Sequence, residues 1–98
     1  GEQQLAAVAR AVLARPRFLL LDEPTEGLAP LIVDSLADQI RALRESEGMA
    51  LILAEQNVDF ARLCTERVMV LNVGRVVFHG SWAEFDADPA IRATHLSL

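Results

Sequence analysis

Four consecutive apolar residues, Phe18 to Leu21, lead directly into two carboxylates and a proline in this sequence. The run has the length of a strand. Its lack of alternation between apolar and polar residues is typical of a parallel strand that is covered on both faces. Asp22 and Glu23 then stand at the C-terminal end of that strand. The run therefore predicts an α/β sheet that presents polar groups at one edge.

Helical and strand patterns alternate around this run, as in β-α-β units. Pro16 ends the first helical pattern, Pro30 suits the first position of the second helix, and Gly48 is well placed to end it. The predicted helices cover residues 3–15, 30–47 and about 58–63, and the predicted strands cover residues 18–21, 50–54, 68–71 and 75–78.

Two further patterns shape the prediction. A hairpin is expected where residues 72–74 join the last two strands, and a capping box from Ser81 to Glu84 predicts another helix start, as does Asp88 before Pro89. In the second helix the predicted buried stripe consists of Ile32, Leu36, Ile40 and Leu43.

The charge balance excludes some classes of partner. Acidic residues outnumber basic ones 14 to 9, which gives a formal net charge of −5. Proteins that bind nucleic acid or anionic membranes through charge carry an excess of basic residues. We therefore expect no nucleic-acid partner.

The single cysteine, Cys64, excludes a disulfide within the chain and is expected to be a small buried hydrophobe. No apolar run approaches the roughly 18 residues of a membrane span, so the sequence predicts a soluble, cytosolic protein. The chain starts at Gly1, without methionine and inside a helical pattern, which favours a fragment of a larger protein.

Polar residues follow two of the predicted strands: Asp22 and Glu23 after the first, Glu55 and Gln56 after the second. Open α/β sheets bind ligands beyond the C-terminal ends of their strands. An aspartate there can hold a hydrated magnesium ion, and the next carboxylate can face a water on the substrate side. An Asp-Glu pair alone is also compatible with loop solvation or helix capping.

Taken together, "GEQQLAAVARAV", "FLLLDEP", "TEGLAP" and "EQN" resemble the signature helix, Walker B strand, D-loop and switch loop of ABC-transporter nucleotide-binding domains. The combination is most similar to the ATP-binding subunits of branched-chain amino-acid importers, with urea and short-amide importers as close relatives. The resemblance implies the C-terminal half of a P-loop NTPase-type α/β domain, with parallel core strands flanked by helices and a C-terminal hairpin and helices. Residues 1–98 would then form a partial ATP-binding domain.

The same resemblance implies roles for individual residues. Glu23 would be the base that orients the attacking water, and Asp22 would hold Mg²⁺ through water. Gly1 and Glu2 would face a nucleotide phosphate across a dimer. Gln56 occupies the position of the usual switch-loop histidine, although it could instead cap the following helix, for which Asn57 is the better residue type.

The resemblance also indicates what the chain needs to function. No glycine-rich phosphate loop ending in Gly-Lys-Ser/Thr occurs in the sequence, so the chain alone is expected to be inactive. Family topology places a missing strand between residues 50–54 and 67–71, and Ala29 stands where many members have the D-loop aspartate. The implied cofactors are ATP and Mg²⁺. The implied partners are permease subunits and a second ATP-binding subunit, at the inner face of the cell membrane.

Two alternatives remain open at this point. One is a stand-alone α/β interaction module without catalysis, which would have to fold cooperatively by itself. The other is a non-transport relative, such as a DNA-repair or translation ATPase, which shares the spacing from signature to Walker B. The acidic balance and "EQN" disfavour the second alternative.

Overall fold

The computed structural model describes residues 2–96, except for the side chains of residues 2 and 4. The chain divides into two compact units, with the boundary between Cys64 and Thr65. No helix within the described range is both long enough and apolar enough to cross a bilayer.

The first unit alternates helices and strands as predicted. Its two strands pair in parallel, in a register that runs from Phe18 opposite Ala50 to Asp22 opposite Ala54. The elements are α1 (Glu2–Leu13), β1 (Phe18–Asp22), α2 (Pro30–Glu47), β2 (Ala50–Ala54) and α3 (Val58–Cys64).

Helix α1 ends two residues earlier than predicted. Arg15 has a φ of 50°, outside the right-handed helical region. The ring of Pro16 disfavours helical backbone at the residue before it, so the helix stops before the proline and not at it.

Helix α2 has the predicted limits. It begins at Pro30 and ends at Glu47, and the cap residue Gly48 adopts a φ of 63° and donates its N–H to the carbonyl oxygen of Arg44. Only glycine reaches this left-handed conformation without steric cost from a side chain.

The buried stripe of α2 differs at its start from the prediction. Leu36 and Ile40 are buried, but Ile32 is 40% exposed and Ala37 is buried instead. The observed stripe follows the helical period through positions 33, 36, 37 and 40. This period leaves Ile32 at the edge of the stripe.

Strand β1 is covered on one face only within the described residues. Leu19 and Leu21 are buried together with side chains from α1, α2 and α3. Leu20 is 66% exposed, and Ile52 in β2 is 55% exposed. The prediction of a parallel strand is confirmed. The prediction that β1 is covered on both faces is wrong for the described residues. All three helices contribute their buried side chains to the same cluster as Leu19 and Leu21, which leaves the opposite face exposed.

Cys64 closes the first unit as a fully buried residue. Burial raises the pKa of its thiol to about 11. The thiol is therefore protonated at neutral pH, as in a structural and unreactive cysteine.

The second unit confirms the predicted hairpin. Its strands are antiparallel and are joined by Val73 and Gly74, which have φ values of 50° and 73°. Positive φ at both positions is typical of the tight turn that matches the twist of a hairpin. The elements are β3 (Arg67–Asn72), β4 (Arg75–Ser81), α4 (Trp82–Asp86), α5 (Pro89–Ile91) and a π-helical segment (Arg92–Leu96).

The capping box at the start of α4 is also confirmed. The Ser81 hydroxyl accepts the N–H of Glu84, and the Glu84 carboxylate accepts the N–H of Ser81. These bonds hold the pKa of Glu84 below its ordinary value. Two donors at the helix start are satisfied in this way.

Each sheet has two strands within residues 2–96. β2 pairs with β1 alone, and β3 pairs with β4 alone. The outer edges of β2 and β3 therefore carry backbone groups without a strand partner in the described part of the chain. The strand predicted to lie between them stays a prediction.

Candidate functional site

The parallel register aligns the ends of β1 and β2. Asp22 lies opposite Ala54, and the N–H of Glu23 donates to the carbonyl oxygen of Ala54 at 2.7 Å. The β1–α2 loop (residues 23–29) and the β2–α3 loop (residues 55–57) therefore start side by side. Both groups of polar residues singled out in the sequence leave the same edge of the sheet.

Glu23 occupies an unusual backbone conformation at this edge. Its φ is 49°, in the left-handed region that residues with a side chain rarely adopt. Such strain persists where the surrounding structure enforces it, and it is concentrated at functional sites.

The surroundings of Glu23 also change its acidity. Partial burial raises the pKa of its carboxyl group, and the negative charges of Glu55, Glu26 and Asp22 raise it further. A higher pKa makes the carboxylate a stronger proton acceptor. The shift makes Glu23 a candidate proton acceptor at this edge of the sheet.

Glu55 joins the two loops through both of its carboxylate oxygens. Oε2 accepts the Thr25 hydroxyl at 2.9 Å and the Thr25 N–H at 3.4 Å. Oε1 accepts the N–H groups of Gln56 at 3.1 Å and Asn57 at 3.3 Å. The carboxylate thus connects two segments that lie 30 residues apart in sequence.

The N-cap of α3 shows whether Gln56 caps that helix. The side-chain oxygen of Asn57 accepts the N–H of Phe60 at 3.0 Å, as expected of an N-cap. Gln56 is exposed, and its backbone N–H is bound by Glu55. Asn57 therefore caps the helix, and Gln56 is exposed in the loop between β2 and α3.

Asp22 is exposed at the end of β1. Within residues 2–96, no three histidine, cysteine or acidic side chains converge into a metal-binding group. A lone carboxylate suits Mg²⁺, which keeps several waters and takes its other ligands from phosphates. The repulsion that raises the pKa of Glu23 would also be reduced by a nearby cation.

Two predicted site residues lie at the start of the chain. Gly1 and the side chain of Glu2 lie outside the part that the structure describes. Their predicted contact with a nucleotide phosphate stays a prediction.

Sequence reasoning did not assign roles to Thr25 and Glu55. Thr25 lies in the segment that resembles a D-loop, and the structure shows that it is only 8% exposed and is bound by Glu55. The available signal was the pair of apolar runs at residues 18–21 and 50–54, because a parallel register places the residues that follow them next to each other.

Comparisons with known proteins give consistent results. The chain is 42% identical over 96 residues to the high-affinity branched-chain amino acid transport ATP-binding protein BraG of Pseudomonas aeruginosa, which covers 98% of the chain and 41% of the relative. It is 41% identical over 88 residues to a phosphonates import ATP-binding protein, PhnC 2, of Rhodopseudomonas palustris, which covers 90% of the chain and 31% of the relative. No protein-family model matches the chain.

The fold also matches a solved structure. CbiO1 of Clostridium perfringens, described as part of the ABC transporter complex cbiONQ, superposes with a TM-score of 0.67 at 28% identity. The match covers 90% of the chain and 37% of CbiO1. The chain thus spans less than half the length of the relatives that it matches. Over 98% of its residues the chain is homologous to the ATP-binding proteins of ABC transporters.

Proposed function

We propose that residues 1–98 are the C-terminal part of an ATP-hydrolysing ABC-importer subunit, and that they carry its signature helix, Walker B strand, D-loop and switch loop. The main support is the placement of Asp22, Glu23 and Gln56 at the ends of two parallel strands in register. We use "the complete domain" for the ATP-binding domain that would contain this chain. A practical form is a chimaera in which the chain replaces the matching 96 residues of the Pseudomonas relative.

Each site residue has one task in this proposal. Glu23 accepts a proton from the attacking water and orients it, for which its raised pKa is suitable. Gln56 donates an amide hydrogen bond to a phosphoryl oxygen. Asp22 is the residue that would hold Mg²⁺ through water, and the bound ion would supply positive charge beside the phosphates. Gly1 and Glu2 face the nucleotide from the second ATP-binding subunit of the dimer.

The proposed solute class is branched-chain amino acids. The supporting observations are the motif combination "DEPTEGLAP" with "EQN" and the 42% identity to BraG. Phosphonate-import relatives reach 41% identity over a shorter part of the chain. Urea and short-amide importers are the alternative from the motif resemblance. The proposed partners are permease subunits and a second ATP-binding subunit, at the inner face of the cell membrane.

The genomic surroundings test this assignment. We expect the DNA upstream of the Gly1 codon to encode a phosphate loop in frame, next to genes for permeases and a solute-binding protein. Calorimetry with that binding protein should detect leucine, isoleucine or valine. If the binding protein binds a phosphonate or urea instead, the proposed class of branched-chain amino acids is wrong and that solute takes its place. An open reading frame without phosphate loop or permease neighbours would favour the interaction module.

The chain alone is expected neither to bind Mg-ATP nor to melt as one cooperative unit. Each unit has a two-stranded sheet, which is marginal by itself. The first unit also leaves Leu20 and Ile52 in contact with solvent. Calorimetry of the 98-residue chain measures both properties. A sharp two-state transition, or micromolar ATP binding, would contradict the proposal and support the interaction module.

A further inference from the structure

The Glu55 carboxylate is placed to control the geometry of both loops at the candidate site. One oxygen binds the hydroxyl and the N–H of Thr25, and the other binds the N–H groups of Gln56 and Asn57. No other side chain of the described residues is shown hydrogen-bonded to both loops. One side chain therefore ties the two loops together, in addition to the backbone bond from Glu23 to Ala54.

This arrangement requires an ionised carboxylate. All four groups that approach Glu55 are donors, and a carboxylate is the side-chain group that accepts on both oxygens and donates nothing. A glutamine amide of equal length accepts on one side only, and its NH₂ group would face donors on the other. Thr25 is 8% exposed, so its hydroxyl also depends on this partner.

The bonds at Thr25 act on the backbone of Glu23. Only Pro24 separates the two residues, and Glu23 is held in a left-handed conformation that needs external support. That support includes the bond from its N–H to Ala54, the bond from the Glu26 N–H to its carbonyl oxygen, and the anchored Thr25. Loss of the Thr25 anchor removes one of these supports.

We propose that Glu55 is a positioning residue that sets the Glu23 carboxylate and the Gln56 amide at a fixed mutual distance. This inference rests on the proposed function, since it concerns the geometry of the proposed ATP-hydrolysis site. Glu55 itself contacts neither nucleotide nor water in this role. It acts through the backbones of Thr25 and Gln56.

The first test is Glu55→Gln in the complete domain. We expect kcat to fall about tenfold to a hundredfold, the effect of a catalytic group displaced by about an ångström, with KM for ATP changed less than threefold. Glu45→Gln is the matched control, because Glu45 is exposed on α2 and distant in sequence from both loops. It removes the same charge and should keep the parental kcat.

Thr25 provides a second variant that keeps every carboxylate. Thr25→Val preserves shape but removes the hydroxyl that donates to Glu55, and kcat should fall by about tenfold to a hundredfold. Thr25→Ser keeps the hydroxyl and should retain the parental kcat. The kcat of the double variant Thr25→Val with Glu55→Gln should be no lower than that of the less active single variant. Both substitutions remove the same connection between the two loops, so their effects should not add.

The outcomes separate this inference from the proposed function. Parental kcat in both Glu55→Gln and Thr25→Val would overturn the positioning role. A lower melting temperature with unchanged kcat per folded molecule would also overturn it, because the tie would then serve stability alone. If Glu23→Gln, assayed in parallel, hydrolyses ATP at the parental rate, the proposed function itself fails.

Discussion

Glu23→Gln in the complete domain is expected to lower ATP turnover by about a hundredfold or more and to leave ATP affinity close to that of the parent. A correctly placed general base contributes about 10² to 10⁴ to a rate. The glutamine amide has nearly the same size but cannot accept a proton from water. The bond to Ala54 uses the backbone N–H of residue 23, so the substitution leaves it in place. Steady-state hydrolysis and nucleotide titration measure the two quantities.

The variant should also accumulate as an ATP-bound dimer, because binding proceeds while hydrolysis does not. Size-exclusion chromatography with and without ATP detects this species. Glu45→Gln serves again as the control for loss of an exposed negative charge. Near-normal hydrolysis by Glu23→Gln would refute the assignment of Glu23 as the base.

Gln56→Ala should reduce turnover by about tenfold to a thousandfold, with little change in ATP affinity or melting temperature. Loss of one preorganised hydrogen-bond donor to a developing negative charge typically lowers kcat by about a hundredfold to a thousandfold, the upper part of this range. The side chain is exposed, and the helix cap is provided by Asn57, so the substitution removes no known structural contact.

Two further variants make the test of Gln56 specific. Gln56→His should keep activity and add a pH dependence between about 6 and 7, because imidazole titrates there and an amide does not. Asn57→Ala should instead lower stability by about 1 kcal/mol through loss of the cap. If Gln56→Ala hydrolyses ATP at the parental rate but melts at lower temperature, residue 56 is structural and the switch-loop interpretation is wrong.

The sequence was sufficient to predict the elements that position the site. Two apolar runs, each followed by polar residues, predict parallel strands whose polar ends lie at one edge. Pro30 and Gly48 predict the limits of α2 because each residue type restricts the backbone in a way that suits its position. These signals are local, so they can be recognised without knowledge of the fold.

Other features depend on contacts between distant segments. The bonds between Thr25 and Glu55 join residues 30 positions apart, and their existence follows only from the register of β1 and β2. The exposure of Leu20 was not predictable either, because an apolar run does not specify which elements cover each of its faces. The left-handed backbone of Glu23 carries no signal, since neither glycine nor asparagine occupies that position.

The left-handed backbone of Glu23 has a consequence for protein engineering. Residues with a side chain are about 1–2 kcal/mol less stable in this conformation, whereas glycine adopts it freely and asparagine tolerates it. A search for thermostable variants would therefore enrich glycine or asparagine at position 23 and remove the carboxylate. Thermal stability favours glycine or asparagine at position 23, whereas the proposed role as a base requires the glutamate carboxylate. Libraries selected for heat resistance should therefore hold position 23 constant.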